Sequence, residues 1–588
     1  MEKYKEQLLP KLKKLPVPEL HETLREFSEW MRPLMTLEEL KDFQKKVVAF
    51  GFSDGVILQK DLVHYAEKTT GSWLAPLWEQ NYLESRGYLQ SESNFALVIN
   101  PIYYDQLTSK EAKAAQLVYQ LTNNYLRLVD GTYPMEYTKQ NQPVDMSFYM
   151  NFFKSCRIPG GEIDSFYRGE AKAEGNYVVI FANGIYFRLD VTNGLGEIYP
   201  IEQLLENLQY VLSAERTPRK GEELIPYLTG VKRDESASIY EQLKLDERNS
   251  QNLKQIEEAL FILSFSQGND DTEDERINDV LLNTSHQFLA KTTQAIITKN
   301  GYIGFNMEHT AIDGVPTMNL LTNVFNSFNE GDLPVAKKGS ARIVERFEWV
   351  LTNELITDLE QSRKSVMEEN SSYSIKHQVI SDIGKEQMKK AKVSPDAFFH
   401  IALAMAQQKV FGKLRSIYEP VAMRMFYEGR TESARSISLE KKVFVEAFYE
   451  NTEVNSKEEL AALFKEAASA HSDRIRQCQN GKGIERHLFG LQKMALNPEE
   501  GARFFSAEAL EILREDFIST TGIPYDLLES FSFGPVNKTG FGLYYGILDE
   551  KVILTMSAKK NNENETNQLL EAIHKALISL AELLDSGL

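Results

Sequence analysis

Between Asn300 and Gly314 the chain alternates apolar with small or polar residues as far as Met307, then turns polar through Glu308, His309 and Thr310. That pattern is a strand running into a loop. A second strand is read before it, so the sequence predicts a hairpin over 288–298 and 302–307 that delivers His309 at its end. Asp313 follows four residues later, with Gly314 directly after it. Histidine is the side chain whose ordinary pKa lies nearest neutrality, so it can take and return a proton at working pH. His309 is therefore the candidate general base. Asp313 is a candidate to position the loop or to pair with an arginine, for which Arg346 is the expected partner.

A chain of 588 residues has room for about two to four domains. Apolar content of 42% and charged content of 26% are ordinary for a globular protein. The net charge of -19 argues against non-specific nucleic-acid binding, which needs a basic face, and against an anionic membrane surface. A local basic pocket for an anionic ligand is still compatible with it. The two cysteines, Cys156 and Cys478, make no disulfide framework and fit a reducing compartment. No apolar run is long enough for a membrane span, and the N-terminus lacks a signal core. The expected location is the cytoplasm. No histidine pair has zinc-site spacing, so no metal is expected. Assembly is not readable from the sequence; a monomer is the expectation.

Helices are expected over much of 5–50, where Leu20, Leu24, Phe27, Trp30 and Met31 share one face. Strands over 177–181 and 185–191 flank Ala182-Asn183-Gly184, a strong hairpin signal. Helices follow at 201–214, 236–247, 275–283 and 316–328, and the last at 565–586. The basic stretch 331–345 reads as a connector. Ser394 before Pro395 reads as a helix start, because Ser caps well and the missing Pro N–H costs nothing there. Trp78 and Tyr82 read as packing residues whose faces also suit a quaternary ammonium.

His309-x-x-x-Asp313-Gly314 resembles the catalytic motif of CoA-dependent acyltransferases, and Glu308 narrows the resemblance to the choline/carnitine O-acyltransferase family. Further stretches resemble that family in its own order: Ser155-Cys156-Arg157-Ile158-Pro159-Gly160; Gly384-Lys385 through Lys389 to Ser394-Pro395-Asp396-Ala397-Phe398; Tyr418-Glu419 with Gly429-Arg430-Thr431-Glu432; Glu485-Arg486-His487-Leu488; and Phe533-Gly534-Pro535-Val536 through Thr555 and Ser557. Ser519-Thr520-Thr521 is similar to its Ser-Thr-Ser stretch. Four departures are visible. Glu485 stands where Asp is more usual, and Gly522 replaces a usual glutamine. Lys559-Lys560 stand where aromatic residues are usual, and the Trp78 to Tyr82 segment is one residue short.

The resemblance implies an α/β fold of two chloramphenicol-acetyltransferase-like domains, each a mixed β-sheet flanked by helices, with an active-site tunnel at their interface. The domains expected are 71–345, carrying the catalytic His, and 346–588, binding CoA and carnitine, joined by N-terminal helices within 1–70. It implies reversible acyl transfer between coenzyme A and carnitine, with no permanently bound cofactor and acyl-CoA as co-substrate. His309 would be the base and Ser557 the oxyanion donor. Lys385, Lys389 and Asp396 would bind CoA. Tyr418, Thr431 and Arg486 would bind carnitine's carboxylate. Choline, another alcohol or amine, or binding without catalysis remain the alternatives. Thr431 and Arg486 favour carnitine, because a buried arginine facing choline would be an unpaired charge.

Overall fold

The hairpin that delivers His309 lies inside an eight-stranded mixed sheet. The structure, a computed structural model, describes residues 11–213, 217–328, 341–450, 456–497, 499 and 501–585. Thr293–Ile297 and Ile303–Met307 pair antiparallel, from Thr293 opposite Met307 to Ile297 opposite Ile303. The first strand is shorter than the expected 288–298: residues 288–292 lead into it as loop. Gly301, at φ 84°, closes the turn in a conformation that suits glycine. The sheet runs in the order Leu528–Phe533, Phe95–Ile99, Ile303–Met307, Thr293–Ile297, Ile262–Phe265, Tyr177–Ala182, Ile185–Asp190, Val344–Arg346. Its central strands are buried on both faces, and Tyr177–Ala182 among them reads as a continuous apolar run.

A second, five-stranded mixed sheet has the order Tyr373–Ile380, Val552–Lys559, Phe541–Ile547, Ile518–Gly522, Ile417–Tyr418. One face packs Leu543, Tyr545, Leu554 and Met556 against the helices Pro395–Phe411 and Glu563–Asp585. The alternate residues Gly542, Tyr544, Thr555 and Ser557 therefore turn the other way. The two mixed sheets flanked by helices are those expected from the sequence.

The C-terminal half contributes a strand to the first sheet. Leu528–Phe533 pairs antiparallel with Phe95–Ile99, with Phe533 opposite Phe95. Val344–Arg346, at the end of the expected connector, is the opposite edge strand; residues 331–340 of that connector lie outside the described residues. The N-terminal helices Leu20–Met31, Leu37–Gly51 and Asp54–Lys68 bury Leu20, Phe27 and Trp30 in one core with Leu488, Phe504 and Leu510 from the far end of the chain.

Local chemistry sets the element ends. Thr36 and Glu39 form a reciprocal capping box. Ser109 caps Lys110–Asp130, a helix not expected from the sequence, and Gly131 ends it in the left-handed region. Ser394 occupies the N-cap position with Pro395 next, but its side chain makes no capping hydrogen bond. Among the described residues no helix is long and apolar enough to cross a membrane.

Candidate functional site

His309 leaves the end of Ile303–Met307 and lies partly buried, its ring edge-on to Phe95 at 5.0 Å between centroids and 5.3 Å from Tyr82. Nδ1 lies 2.6 Å from the carbonyl oxygen of Ile312. A carbonyl only accepts, so Nδ1 carries the ring proton and Nε2 keeps its lone pair. Burial pushes the imidazole pKa below its ordinary value, Asp313 opposes this, and Arg430 adds to it. The ring is thus a neutral base with its acceptor nitrogen turned away from its own loop.

Two buried ion pairs hold that loop. Asp313 accepts from Arg430 Nε at 2.9 Å and from Nη2 at 3.4 Å, and Arg430 Nη1 donates to the Thr310 carbonyl at 2.9 Å. This corrects the expected Asp313–Arg346 pair: Arg346 lies at the far edge of the sheet, 2.6 Å from Glu222. Gly429-Arg430-Thr431 was legible as a motif, yet nothing in its spacing tells which carboxylate it meets. Arg430 sits at φ 56° beside Glu428 at φ 53°, a strained backbone held by these bonds. Behind His309, the Glu308 carboxylate accepts from the Thr310 backbone N–H at 3.2 Å and lies 3.7 Å from Arg157. Arg157 and Arg233 both donate to Asp164 at 2.7 Å. Apart from Arg157 in its turn motif, no sequence pattern points to this fully buried cluster.

Ser557 stands where the second sheet meets the added strand. Its hydroxyl donates to the Phe533 carbonyl, and Phe533 pairs across from Phe95, whose ring touches His309. The structure thus links Ser557 to His309 through two cross-strand neighbours. Ser519 pairs with Gly542, and Gly542 with Ser557, so the three share one face. Thr521 and Thr555 likewise flank Tyr544. The result is a face rich in hydroxyls, and the Ser519 Oγ on it is buried with no hydrogen-bond partner. Thr555 meets His377 Nδ1 at 3.1 Å. Lys559 is tied to Glu369 at 2.9 Å and lies 3.6 Å from the Tyr373 ring centre, at the strand's end.

Tyr418, Thr431 and Arg486 come together. Arg486 Nε donates to the Thr431 carbonyl at 2.9 Å and Nη2 to the Tyr418 hydroxyl at 3.1 Å. Both acceptors are uncharged. The neighbouring Glu485 is held by Arg435 at 3.1 Å and Arg514 at 2.9 Å, and burial lifts the Glu432 carboxyl to about 7. The Arg486 guanidinium lies 3.8 Å from the Trp78 ring centre; Trp78 meets Tyr82 at 5.8 Å, and Tyr82 meets His309. An aromatic path therefore runs from the guanidinium to His309, and the Trp78 ring proposed for an ammonium already carries Arg486. A cavity of about 500 Å³ opens beyond Arg430, lined also by Ala311, Phe148, Asn151 and Glu79.

Lys385 and Lys389 lie on the short helix Lys385–Lys390, where Lys385 Nζ is 2.8 Å from Asp549. Both lysines lower the Asp549 carboxyl pKa. Asp396 begins the next helix and accepts from the Tyr545 hydroxyl at 2.7 Å and from His471 Nε2 at 3.0 Å. Burial alone would raise its pKa, but the His471 hydrogen bond and the nearby His400 hold it well below the carboxylate range.

A profile described as choline/carnitine O-acyltransferase matches residues 15–575. The chain is similar to carnitine O-acetyltransferase of Columba livia, at 28% identity over 97% of this chain and 93% of that protein. It is also similar to carnitine O-acetyltransferase of Homo sapiens, at 26% over 98% and 94%. Choline O-acetyltransferase of Gallus gallus matches at 25% over 98% and 93%. Spanned almost end to end by that profile, the chain belongs to the choline/carnitine O-acyltransferase family.

Proposed function

We propose that this acyltransferase moves an acyl group reversibly between coenzyme A and the hydroxyl of carnitine, with His309 as general base. The observation that supports carnitine best is Arg486. Its buried guanidinium is aimed by Tyr418 and Thr431, donates to neutral oxygens, and has its near carboxylates held by other arginines or lifted toward neutrality. An incoming carboxylate completes such a site, and a bidentate fork suits it.

In the forward direction His309 Nε2 takes the proton from the carnitine hydroxyl as that oxygen attacks the thioester carbonyl. The Ser557 hydroxyl, on the face it shares with Ser519 and Thr521, rotates from the Phe533 carbonyl to donate to the oxyanion. Collapse breaks the C–S bond, and the leaving thiolate takes the proton back from Nε2. Asp313 acts as a positioning residue through Arg430. Lys385 and Lys389 supply the positive charge for a CoA phosphate, and Asp396 an acceptor for one of its N–H groups. Holding both substrates at one base supplies the orientation, so no covalent enzyme intermediate is needed.

The test is thiol release from acetyl-, octanoyl- and palmitoyl-CoA with L-carnitine, choline or no acceptor. Carnitine-dependent release that falls about 10²–10⁴-fold in His309→Ala is the expected result. Release with choline and not carnitine would overturn the assignment of Arg486.

A further inference from the structure

Behind Asp396 lies a buried hydrogen-bond network to which the proposed chemistry gives no role. The Asp396 side chain is 38% exposed, whereas those of His471 and Glu419 behind it are 2% and 5% exposed. The network can be followed hydrogen by hydrogen. Lys441 Nζ contacts the Ser436 carbonyl, the Ser436 hydroxyl and His471 Nδ1, each at 2.8 Å. Burial lowers the Lys441 pKa to about 7 and Glu419 opposes this; in its ammonium form Lys441 has three hydrogens and no lone pair, so all three contacts are then donated. His471 Nδ1 is then an acceptor, and its Nε2–H points to Asp396 Oδ2 at 3.0 Å. Burial, with Lys441 adding to it, lowers the His471 pKa to about 4 and keeps the ring neutral.

A second arm reaches the other oxygen. Ser436 Oγ, already an acceptor from Lys441, donates to His400 Nδ1 at 2.8 Å. His400 Nε2–H faces the Tyr545 hydroxyl at 3.0 Å, and Tyr545 donates to Asp396 Oδ1 at 2.7 Å. Both carboxylate oxygens therefore receive a hydrogen whose direction is set by Lys441. From this geometry we infer that Lys441 and His471 form a buried arm that fixes the Asp396 carboxylate for coenzyme A, and that His471 is a positioning residue for that site. The inference rests on Asp396 contacting CoA, as set out above.

The donor atoms of Asp396, His400 and Glu419 also lie within 4.8 Å of one another, a spacing that admits a metal ion. The Lys441 amine held against His471 and Ser436, and the Tyr545 hydroxyl between His400 and Asp396, favour the hydrogen-bonded arrangement over a bound cation.

The test uses the full chain and two variants. A glutamine amide nitrogen reaches about where imidazole Nε2 lies, whereas asparagine reaches only to Nδ1. His471→Gln should bind CoA within about threefold of wild type by calorimetry. His471→Asn should bind about tenfold more weakly, with kcat and the KM for the acceptor within about twofold. Equal CoA affinities in both variants, or a loss in kcat instead of CoA binding, would overturn the inference. Where His471→Asn does not fold, the ¹⁵N signals of wild-type His471 decide: an Nε2–H tautomer supports the arm, and an Nδ1–H tautomer or an imidazolium refutes it. Stoichiometric zinc in the purified protein that is lost in His400→Ala would replace the arm with a metal site. Wild-type protein that binds no CoA would overturn both this inference and the CoA reading beneath it, whereas normal wild-type binding with an unaffected His471→Asn overturns this inference alone.

Discussion

Arg486 and Arg430 are two buried arginines with opposite situations. Arg430 is closed on Asp313 and the Thr310 carbonyl, so it supports the loop and has little left to give a ligand. Arg486 donates to a carbonyl and a phenol, and is the group an acceptor's carboxylate would find. Arg486→Asn should therefore raise the KM for carnitine by about 10–100-fold, the range that follows from a charged hydrogen bond of about 1.5–3 kcal/mol. The KM for acyl-CoA should stay unchanged, and choline should improve relative to carnitine because an unpaired charge has been removed. Steady-state kinetics with both acceptors would check this, and an unaltered carnitine KM would sink it. At this scale the family resemblance singled out Arg486, Thr431 and Tyr418, and the structure brings the three together. The sequence did not show pairings. Asp313 and Arg430 are 117 positions apart, and no local rule selects Arg430 over Arg346.

The added strand Leu528–Phe533 shows the same division between local and long-range information at the level of elements. The hairpin before His309 and the closing helix Glu563–Asp585 were legible in the sequence, whereas Leu528–Phe533 was not read as a strand. Which sheet a strand joins is decided by packing across hundreds of residues, and the sequence left that open. The consequence is chemical: the strand brings Phe531 to stack on Phe95 at 5.1 Å and 12°, and Phe95 in turn meets His309. Phe531 also lies 5.7 Å from Tyr544. These rings fill the space beside His309. Phe531→Ala should cost about 3–5 kcal/mol of stability, the usual range for a buried phenylalanine. The apolar space it opens should raise kcat/KM for octanoyl-CoA relative to acetyl-CoA. Denaturation together with the ratio of the two kcat/KM values tests this, and an unchanged ratio would show that the ring stack does not bound the acyl site.

The whole molecule is tied together by the N-terminal helices, which close on the Glu485–Met494 helix that carries Arg486. Gly490 permits the approach: a Cβ there would lie 2.7 Å from Trp73 and 3.0 Å from Leu62. His487 sits in that junction. Its Nδ1 accepts from the Thr23 hydroxyl at 2.7 Å, and its Nε2–H donates to Gln59 Oε1 at 2.8 Å, the Gln59 amide itself donating to the Pro18 carbonyl. Burial lowers the His487 pKa to about 3, far below the ordinary 6.5. A histidine with a depressed folded-state pKa binds its proton more readily when unfolded. Its contribution to stability is therefore fully present above about 6.5 and is lost progressively as pH falls toward 3. His487→Gln keeps a polar side chain of similar reach but does not titrate. The stability gap between wild type and this variant should be constant above about pH 7 and shrink by up to about 1.4 kcal/mol per pH unit below 6. Thermal midpoints of both proteins measured from pH 7.5 down to 5 check it. Because other buried groups titrate identically in the two proteins, their effects cancel in the difference. A gap that stays constant across that range would mean that His487 is not held neutral at the junction, and that the helices close on the C-terminal half by apolar contact alone.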